Sequence, residues 1–294
     1  MRFLDVRTDF AFKRVFGSEQ SKGVLLDFLN ALIDFGGERI TDLTIVDPYQ
    51  IPLLKGMKDS YVDVKAVLSN QSKVIIEMQV LNVEGFEQRI LYNAAKLYST
   101  QLKQADRYST LEPIIALTIT DFVMFPEIPK VTSYWNLRER EYLLKYSDDI
   151  ELIFVELPKF SKQENELASI TDKWLYFIKH AGELNFIPQS FTEPPLREAF
   201  EIANTAALSE EELEVQFKRH DFIRLQRGVI EKLAKTEQEL AKAEQNAKEA
   251  LDRGIKQGIA NTAWNMLREN VPVDIISKCT GLHREEIEQL RNGS

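Results

Sequence analysis

The chain has 294 residues, of which 44% are hydrophobic and 28% charged, and these proportions exclude a disordered chain and favour a soluble globular one. The formal net charge of −9 argues against a protein that coats itself in nucleic acid through bulk electrostatics, although a bound cation can still meet a phosphate. Cys279 is the only cysteine, so no intramolecular disulfide framework is expected. The sequence has no secretory signal and no apolar run of membrane-spanning length, so we expect a cytoplasmic protein without a membrane partner.

Two helices and a strand are predicted at the beginning of the chain. Thr8 is a good N-cap residue for a short helix over residues 9–16. Ser18 begins a second helix, in which apolar residues follow the three-and-four spacing of an amphipathic helix. Residues 40–46 then alternate as a first β-strand, so the sheet is expected to begin there.

Residues 58–82 consist of two apolar-alternating runs joined by a polar turn, which predicts a β-hairpin. Because strand side chains alternate, Asp63 and Lys65 share one face of the first arm, and Glu77 and Gln79 share one face of the second. Folding about the turn can bring Asp63 close to Glu77 in an apolar setting, which is costly unless a cation lies between the two carboxylates. A divalent ion is the candidate. The alternative is an edge hairpin whose acids face water.

A helix is predicted after the hairpin, over residues 84–104, and Gln88 and Tyr92 lie one turn apart on it. Residues 113–120 form a nearly continuous apolar run that is rich in β-branched residues, typical of a strand that is buried on both faces. A buried parallel strand that follows a helix completes a crossover unit, which favours an α/β fold. The next predicted elements are two strands and a helix, at residues 130–137, 150–155 and 164–180.

The composition changes near residue 182, and prolines follow, so we place the end of the first domain at residue 185. Residues 186–258 are predicted to form a helical linker with a thin heptad seam. Homo-oligomerisation through the C-terminal helices and a solvated helical spacer are both open interpretations. Residues 259–294 are predicted to form three short helices with the outline of a helix-turn-helix unit. Acidic side chains in the last helix would face the phosphate oxygens of DNA. They therefore favour a role in packing or protein contact over direct recognition of DNA bases.

The two strand acids suggest a specific chemistry. Two carboxylates that bracket a divalent ion can activate water and neutralise a phosphodiester in its transition state. Many enzymes of that type place a lysine two residues after the second acid, whereas Gln79 stands there and supplies a donor and an acceptor without charge. Lys65 or Lys13 can supply the missing cation. Asp9 is either a further ligand or orienting acid, or a first-turn acid that suits the helix dipole.

Five segments together carry a family resemblance. They are residues 8–16, residues 63–64, residues 74–80, the helix with Arg89 and Tyr92, and residues 156–160. In this order they resemble the Rpn family, whose members are described as recombination-promoting nucleases or transposase-like proteins of the PD-(D/E)XK superfamily. The resemblance covers about residues 4–182.

The resemblance implies a restriction-endonuclease-like α/β fold, with a mixed central sheet flanked by helices, here followed by an all-helical extension. It also implies Mg²⁺-dependent endonucleolytic cleavage of DNA, with Mn²⁺ as a substitute ion. Asp63 and Glu77 would be the metal ligands, and Gln79 would take the lysine position. Cleavage of RNA would differ only in substrate, and the sequence leaves that alternative open.

Some exonuclease relatives carry a helical glutamine and tyrosine pair, which Gln88 and Tyr92 resemble. That likeness would place Gln88, Arg89 and Tyr92 near the scissile strand, whereas the alternative is a polar helix face that stabilises the sheet edge. The competing functional class is a catalytically idle DNA-binding or interaction protein that assembles through its helical tail. Gln79 and the acidic tail favour that alternative.

Overall fold

The computed structural model describes residues 3–50 and 60–292. It divides into two compact units, Met1–Arg224 and Leu225–Ser294. The α-helices of the described part are α1 (Asp9–Phe16), α2 (Lys22–Leu32), α3 (Phe86–Ser99), α4 (Ile170–His180), α5 (Pro194–Ile202), α6 (Glu210–Arg268), α7 (Val273–Thr280) and α8 (Arg284–Asn292). Its strands are β1 (Leu43–Val46), β2 (Tyr49–Gln50), β3 (Ser60–Tyr61), β4 (Val64–Leu68), β5 (Lys73–Gln79), β6 (Ile114–Thr120), β7 (Thr132–Trp135) and β8 (Ile150–Glu156).

Six strands form one mixed sheet in the order β1-β4-β5-β6-β8-β7, and β2 pairs with β3 in a small second sheet. The ladders β5–β6 and β6–β8 are parallel, whereas β1–β4, β4–β5 and β7–β8 are antiparallel. Helix α3 is the crossover between β5 and β6. All seven residues of β6 are buried, as its nearly continuous apolar and β-branched sequence predicted. A mixed sheet flanked by helices confirms the predicted α/β class.

The two faces of the sheet are covered by different helices because alternate strand residues point to opposite faces. Val74 and Ile76 belong to the main core, which α1, α2, α4 and α5 complete, whereas Ile75 packs with Ala94 of α3. Burial of each large apolar side chain contributes about 1.5–3 kcal/mol. The centre of the main core is an aromatic group in which rings lie 4.5–5.9 Å apart: Phe16, Phe28, Trp174 and Phe177.

The first arm of the predicted hairpin is shorter than expected, and its residues 58–59 lie outside the described residues. Tyr61 ends β3, and β4 begins at Val64, so Asp63 lies in the bend between two strands. The Asp63 side chain accepts a hydrogen bond from the Met78 backbone N–H at 2.7 Å, and this bond takes the place of a regular ladder contact. The expectation of one continuous strand through Asp63 is therefore wrong.

The segment after residue 185 contributes to the same core. Pro194 begins α5 instead of marking a connection, which is compatible with its missing N–H because the first helical turn needs no such donor. Phe191, Leu196 and Phe200 are fully buried in the main core. The first compact unit accordingly extends beyond the predicted boundary, to Arg224.

In the second unit, Ala263, Ile276 and Ile287 form a small apolar cluster. Gly281, with φ +75°, makes the turn between α7 and α8, and the helix-turn-helix character of this tail stays a prediction. The first of the three predicted tail helices is instead the C-terminal end of α6, which continues through Gly254 and Gly258. Within residues 3–50 and 60–292, no helix combines the length and the apolar character that crossing a bilayer requires.

Candidate active site

Asp63 and Glu77 lie beside each other where β4 begins. Val64 pairs with Ile76 in the antiparallel ladder, so Asp63 and Glu77 each lie one residue beyond that pair, and the Asp63 N–H donates to the Ile76 carbonyl at 3.1 Å. Both acids line one cavity of about 460 Å³. The other charged or amide side chains that line this cavity are Asp9, Lys13, Gln79 and Arg89. Six of the nine predicted site residues thus meet in one place.

The Asp63 carboxylate is held between a backbone donor and a lysine. Its Oδ2 atom accepts from the Met78 N–H at 2.7 Å, while its Oδ1 atom lies 3.4 Å from Lys13 Nζ. The same Lys13 Nζ lies 2.8 Å from Asp9 Oδ1 on α1. Burial, together with the adjacent Asp9 carboxyl, raises the pKa of Asp63 to about 7. This end of the cavity therefore concentrates negative charge that one ammonium group only partly offsets.

The Glu77 carboxylate is held in a similar way from helix α3. Its Oε1 atom accepts from Asn93 Nδ2 at 2.7 Å, and its Oε2 atom accepts from Arg89 Nη2 at 3.2 Å. Arg89 Nη2 also donates to Gln79 Oε1 at 3.0 Å, and Gln79 Nε2 donates to the Leu81 carbonyl at 2.8 Å. Glu77 itself is only 7% exposed, so these donors replace the water that burial removes.

The two acids share one pattern: each has one oxygen fixed by an uncharged N–H and the other facing a basic side chain in the cavity. Mg²⁺ is usually bound by one or two carboxylates together with water and substrate phosphate. Asp63 Oδ1 and Glu77 Oε2 fit that donor set, and Lys13 and Arg89 supply positive charge at the same two oxygens. Among the described residues, no group of three or more acid, histidine or cysteine side chains is arranged to hold a metal. The candidate ligands for a divalent ion in this cavity are therefore the two carboxylates of Asp63 and Glu77.

The other three predicted site residues lie elsewhere. Lys65 Nζ donates to the Tyr49 carbonyl at 3.3 Å, and Gln88 lines a separate cavity formed by residues 82–88. The Tyr92 ring lies under Lys96 Nζ, 5.9 Å from it. None of the three is among the described residues that line the cavity of Asp63 and Glu77. Their predicted nucleic-acid contacts stay predictions.

Sequence reasoning missed Asn93 and Phe222. Asn93 is fully buried, and its Oδ1 atom has no hydrogen-bond partner in the described part of the chain. Arg89 and Asn93 are one turn apart, as Gln88 and Tyr92 are, so the four-residue spacing alone does not choose between the pairs. The buried positions Ile90 and Ala94 do give the phase of the helix. Phe222 reaches the cavity from α6, and no local pattern connects it to the strand acids.

The comparison with known proteins identifies the family of the chain. A family model of the PD-(D/E)XK nuclease family transposases matches residues 6–233, a span that includes the sheet and every residue named at the cavity. Neither a curated protein nor a solved structure matches the chain. The match extends over more than half of the 294 residues and confirms the resemblance and the fold that it implies. The chain therefore belongs to the PD-(D/E)XK nuclease family transposases.

Proposed function

We propose that the protein is a Mg²⁺-dependent DNA endonuclease, in which Asp63 and Glu77 hold the ion. Family membership supports nuclease- or transposase-like activity. The observation that carries the metal-dependent form of the proposal is that Asp63 Oδ1 and Glu77 Oε2 both face the cavity while their partner oxygens are fixed by Met78 and Asn93. A carboxylate whose geometry is set in advance loses little freedom when it binds a cation.

The other cavity residues have roles that follow from their chemistry. When bound, a divalent ion supplies a Lewis acid and lowers the pKa of a coordinated water. Lys13 and Arg89 are half-exposed and positively charged, so they can move from the carboxylates to the phosphate oxygens of a strand. The Gln79 carboxamide can orient a water molecule but cannot neutralise charge. Asp9 keeps Lys13 beside Asp63 through the 2.8 Å ion pair.

Cleavage assays test this proposal directly. We expect the purified protein to cut DNA in Mg²⁺ or Mn²⁺ and to stop cutting when EDTA is added. Asp63→Ala and Glu77→Ala should abolish cutting, whereas Asp42→Ala, which removes an exposed acid paired with Lys22, should leave it unchanged. Cutting that survives in either cavity variant, or no cutting of any DNA form by the wild-type protein, overturns the proposal.

A second function is favoured by one specific observation, namely that Lys13 and Arg89 already pair with the two acids. In that alternative, the fold binds DNA without cutting it and assembles through its helical tail. Calorimetry separates the two functions. Mg²⁺ binding that is lost in Glu77→Ala supports the nuclease, whereas an absence of Mg²⁺ binding together with retained DNA binding supports the idle protein. Sedimentation of the full chain tests whether it forms homo-oligomers.

A further inference from the structure

Two exposed aromatic rings stand beside the charged centre of the cavity. Tyr61 at the end of β3 is 67% exposed, and Phe222 on α6 is 50% exposed, yet both line the cavity that contains Asp63 and Glu77. The Tyr61 ring packs against the Tyr49 ring, with 4.8 Å between the ring centroids, and this contact restricts the orientation of Tyr61. Single exposed aromatic side chains are common on protein surfaces, so it is the position of these two beside both candidate metal ligands, and not their exposure, that distinguishes them.

The two rings do not fit the outer surface of a DNA duplex. A duplex presents phosphates and sugars to an approaching protein, and its bases are stacked inside, so protein contacts to it are mainly polar and cationic. Unpaired bases, by contrast, offer a flat face to an aromatic side chain, and each such stack contributes about 1–3 kcal/mol. The ring pair therefore matches a strand with unpaired bases better than an intact duplex.

The same cavity also supplies charge for the backbone of such a strand. Lys13 and Arg89 are 42% and 44% exposed, so their cationic groups can reach phosphate oxygens without a large loss of hydration. Sites for single-stranded nucleic acid combine cationic groups that follow the backbone with aromatic groups that stack on the bases. Here both kinds of group line one cavity with the two candidate metal ligands.

We infer that the site takes DNA whose bases are unpaired next to the scissile phosphate, with Tyr61 and Phe222 stacking on those bases. Single-stranded ends, flaps and gaps are the substrate class. The inference rests on the proposed nuclease function for its site, and it adds the state of the DNA that the site accepts.

The test measures binding apart from cleavage. Fluorescence anisotropy in EDTA compares a labelled single-stranded 20-mer with the duplex of the same sequence, using the full-length protein. We expect the single strand to bind at least about tenfold more tightly, since two stacking contacts favour it. Phe222→Ala and Tyr61→Ala should each lower single-strand affinity about tenfold, and Phe222→Trp should retain it.

Matched controls are available on the same unit. Phe186 and Tyr108 are 60% and 84% exposed and are not among the described residues that line the cavity, so Phe186→Ala and Tyr108→Ala should leave single-strand affinity unchanged. Equal affinity for single strand and duplex overturns the inference. So does an unchanged affinity in the Tyr61→Ala, Phe222→Ala double variant, or tighter binding of single-stranded RNA than of DNA.

Failure of the inference differs from failure of the proposed function. Equal cleavage rates on the duplex and on the single strand overturn the unpaired-base inference and keep the nuclease. Selective single-strand binding that depends on Phe222, without cleavage in Mg²⁺ or Mn²⁺, overturns the nuclease and supports the unpaired-base contact.

Discussion

Asn93 Nδ2 donates a hydrogen bond to Glu77 Oε1 at 2.7 Å, so a fully buried amide on α3 fixes a carboxylate on β5. The bond exists because Ile90 and Ala94 bury the inner side of α3, and this rotation of the helix turns Asn93 toward the strand. A neutral amide orients the carboxylate without cancelling its charge. Glu77 therefore keeps one oxygen for the cavity, and Asn93 is a positioning residue for it.

Replacement of Asn93 by leucine, which has a similar size, should weaken Mn²⁺ binding about tenfold, because groups that orient a metal ligand typically contribute 10- to 100-fold to affinity. Calorimetric titration of the metal into the full chain measures the change. Gln88→Leu, on the same helix but not on the described wall of this cavity, is the control and should bind Mn²⁺ as the wild type does. Equal affinity in Asn93→Leu and the wild type would contradict the positioning role.

Arg89→Ala should strengthen metal binding and weaken DNA binding at the same time. Arg89 pairs with Glu77 Oε2 at 3.2 Å, the oxygen that we assign to the ion, so removal of the guanidinium removes a competitor. The gain should be roughly 1.4-fold to fivefold, because an ion pair with a solvent-exposed partner contributes about 0.2–1 kcal/mol. Paired titrations of Mn²⁺ and of labelled DNA test this. A loss of metal affinity in Arg89→Ala would show that the guanidinium supports the ion instead of competing with it.

The fold was predictable where local sequence and burial agree. Thr8 caps α1 as predicted, with its side chain accepting from the Ala11 N–H, and β6 is buried along its whole length. Boundaries were less predictable. The bend at Asp63 depends on one side chain that accepts a hydrogen bond from a backbone N–H of the neighbouring strand, and no local pattern shows that contact. The continuation of α6 through Gly254 follows from helix-forming residues on both sides, which outweigh the cost of one glycine.

The acid pair was predictable because folding about the hairpin turn brings the start of β4 beside the end of β5, although Asp63 itself lies outside the strand. The sequence did not predict that Arg89 and Asn93, and not Gln88 and Tyr92, would contact Glu77. That outcome depends on how α3 packs on the sheet. Phe222 is more than 140 residues away from Glu77 in the sequence, so only the tertiary structure brings it to the cavity. The site residues that the sequence did not predict are therefore those that contacts between distant elements bring to the cavity.

Without added metal, Asp63 should make stability depend on pH. Burial and the Asp9 carboxyl raise the pKa of Asp63 to about 7, whereas an aspartate in an unfolded chain titrates near about 3.9. Between these pH values the folded state holds the extra proton, so the free energy of unfolding falls as pH rises from about 4 to about 7 and then levels off. Asp63→Asn should not show this fall in the free energy of unfolding. The Tm of the variant minus the Tm of the wild type should therefore be larger at pH 8 than at pH 5.

The control for this pH dependence is Asp42→Asn. The hydrogen bond from Lys22 lowers the pKa of Asp42, so this acid is ionised in both the folded and the unfolded state from pH 5 to pH 8. Its replacement should shift Tm by the same amount at both pH values. Parallel curves of Tm against pH for the wild type and Asp63→Asn would contradict a raised pKa at Asp63.

Lys159→Met should destabilise the first unit strongly. Glu156 at the end of β8 is fully buried, accepts from the Phe125 N–H at 3.0 Å and pairs with Lys159. Loss of the ammonium leaves a buried carboxylate without its ion partner, which costs about 3–5 kcal/mol. Urea denaturation measures the cost. Lys162→Met removes a half-exposed ammonium from Asp172, whose carboxylate still accepts from the Ala168 and Ser169 N–H groups, so it should cost less than about 1 kcal/mol. Similar costs for both variants would contradict the account.

The most direct test of the central claim is anomalous diffraction from crystals of the full chain soaked in Mn²⁺. We expect one strong peak at coordination distance, about 2.2 Å, from both Asp63 Oδ1 and Glu77 Oε2, with Lys13 and Arg89 moved away from these oxygens. Density for Lys13 and Arg89 still paired with the two acids, and no anomalous peak between Asp63 and Glu77, would contradict it.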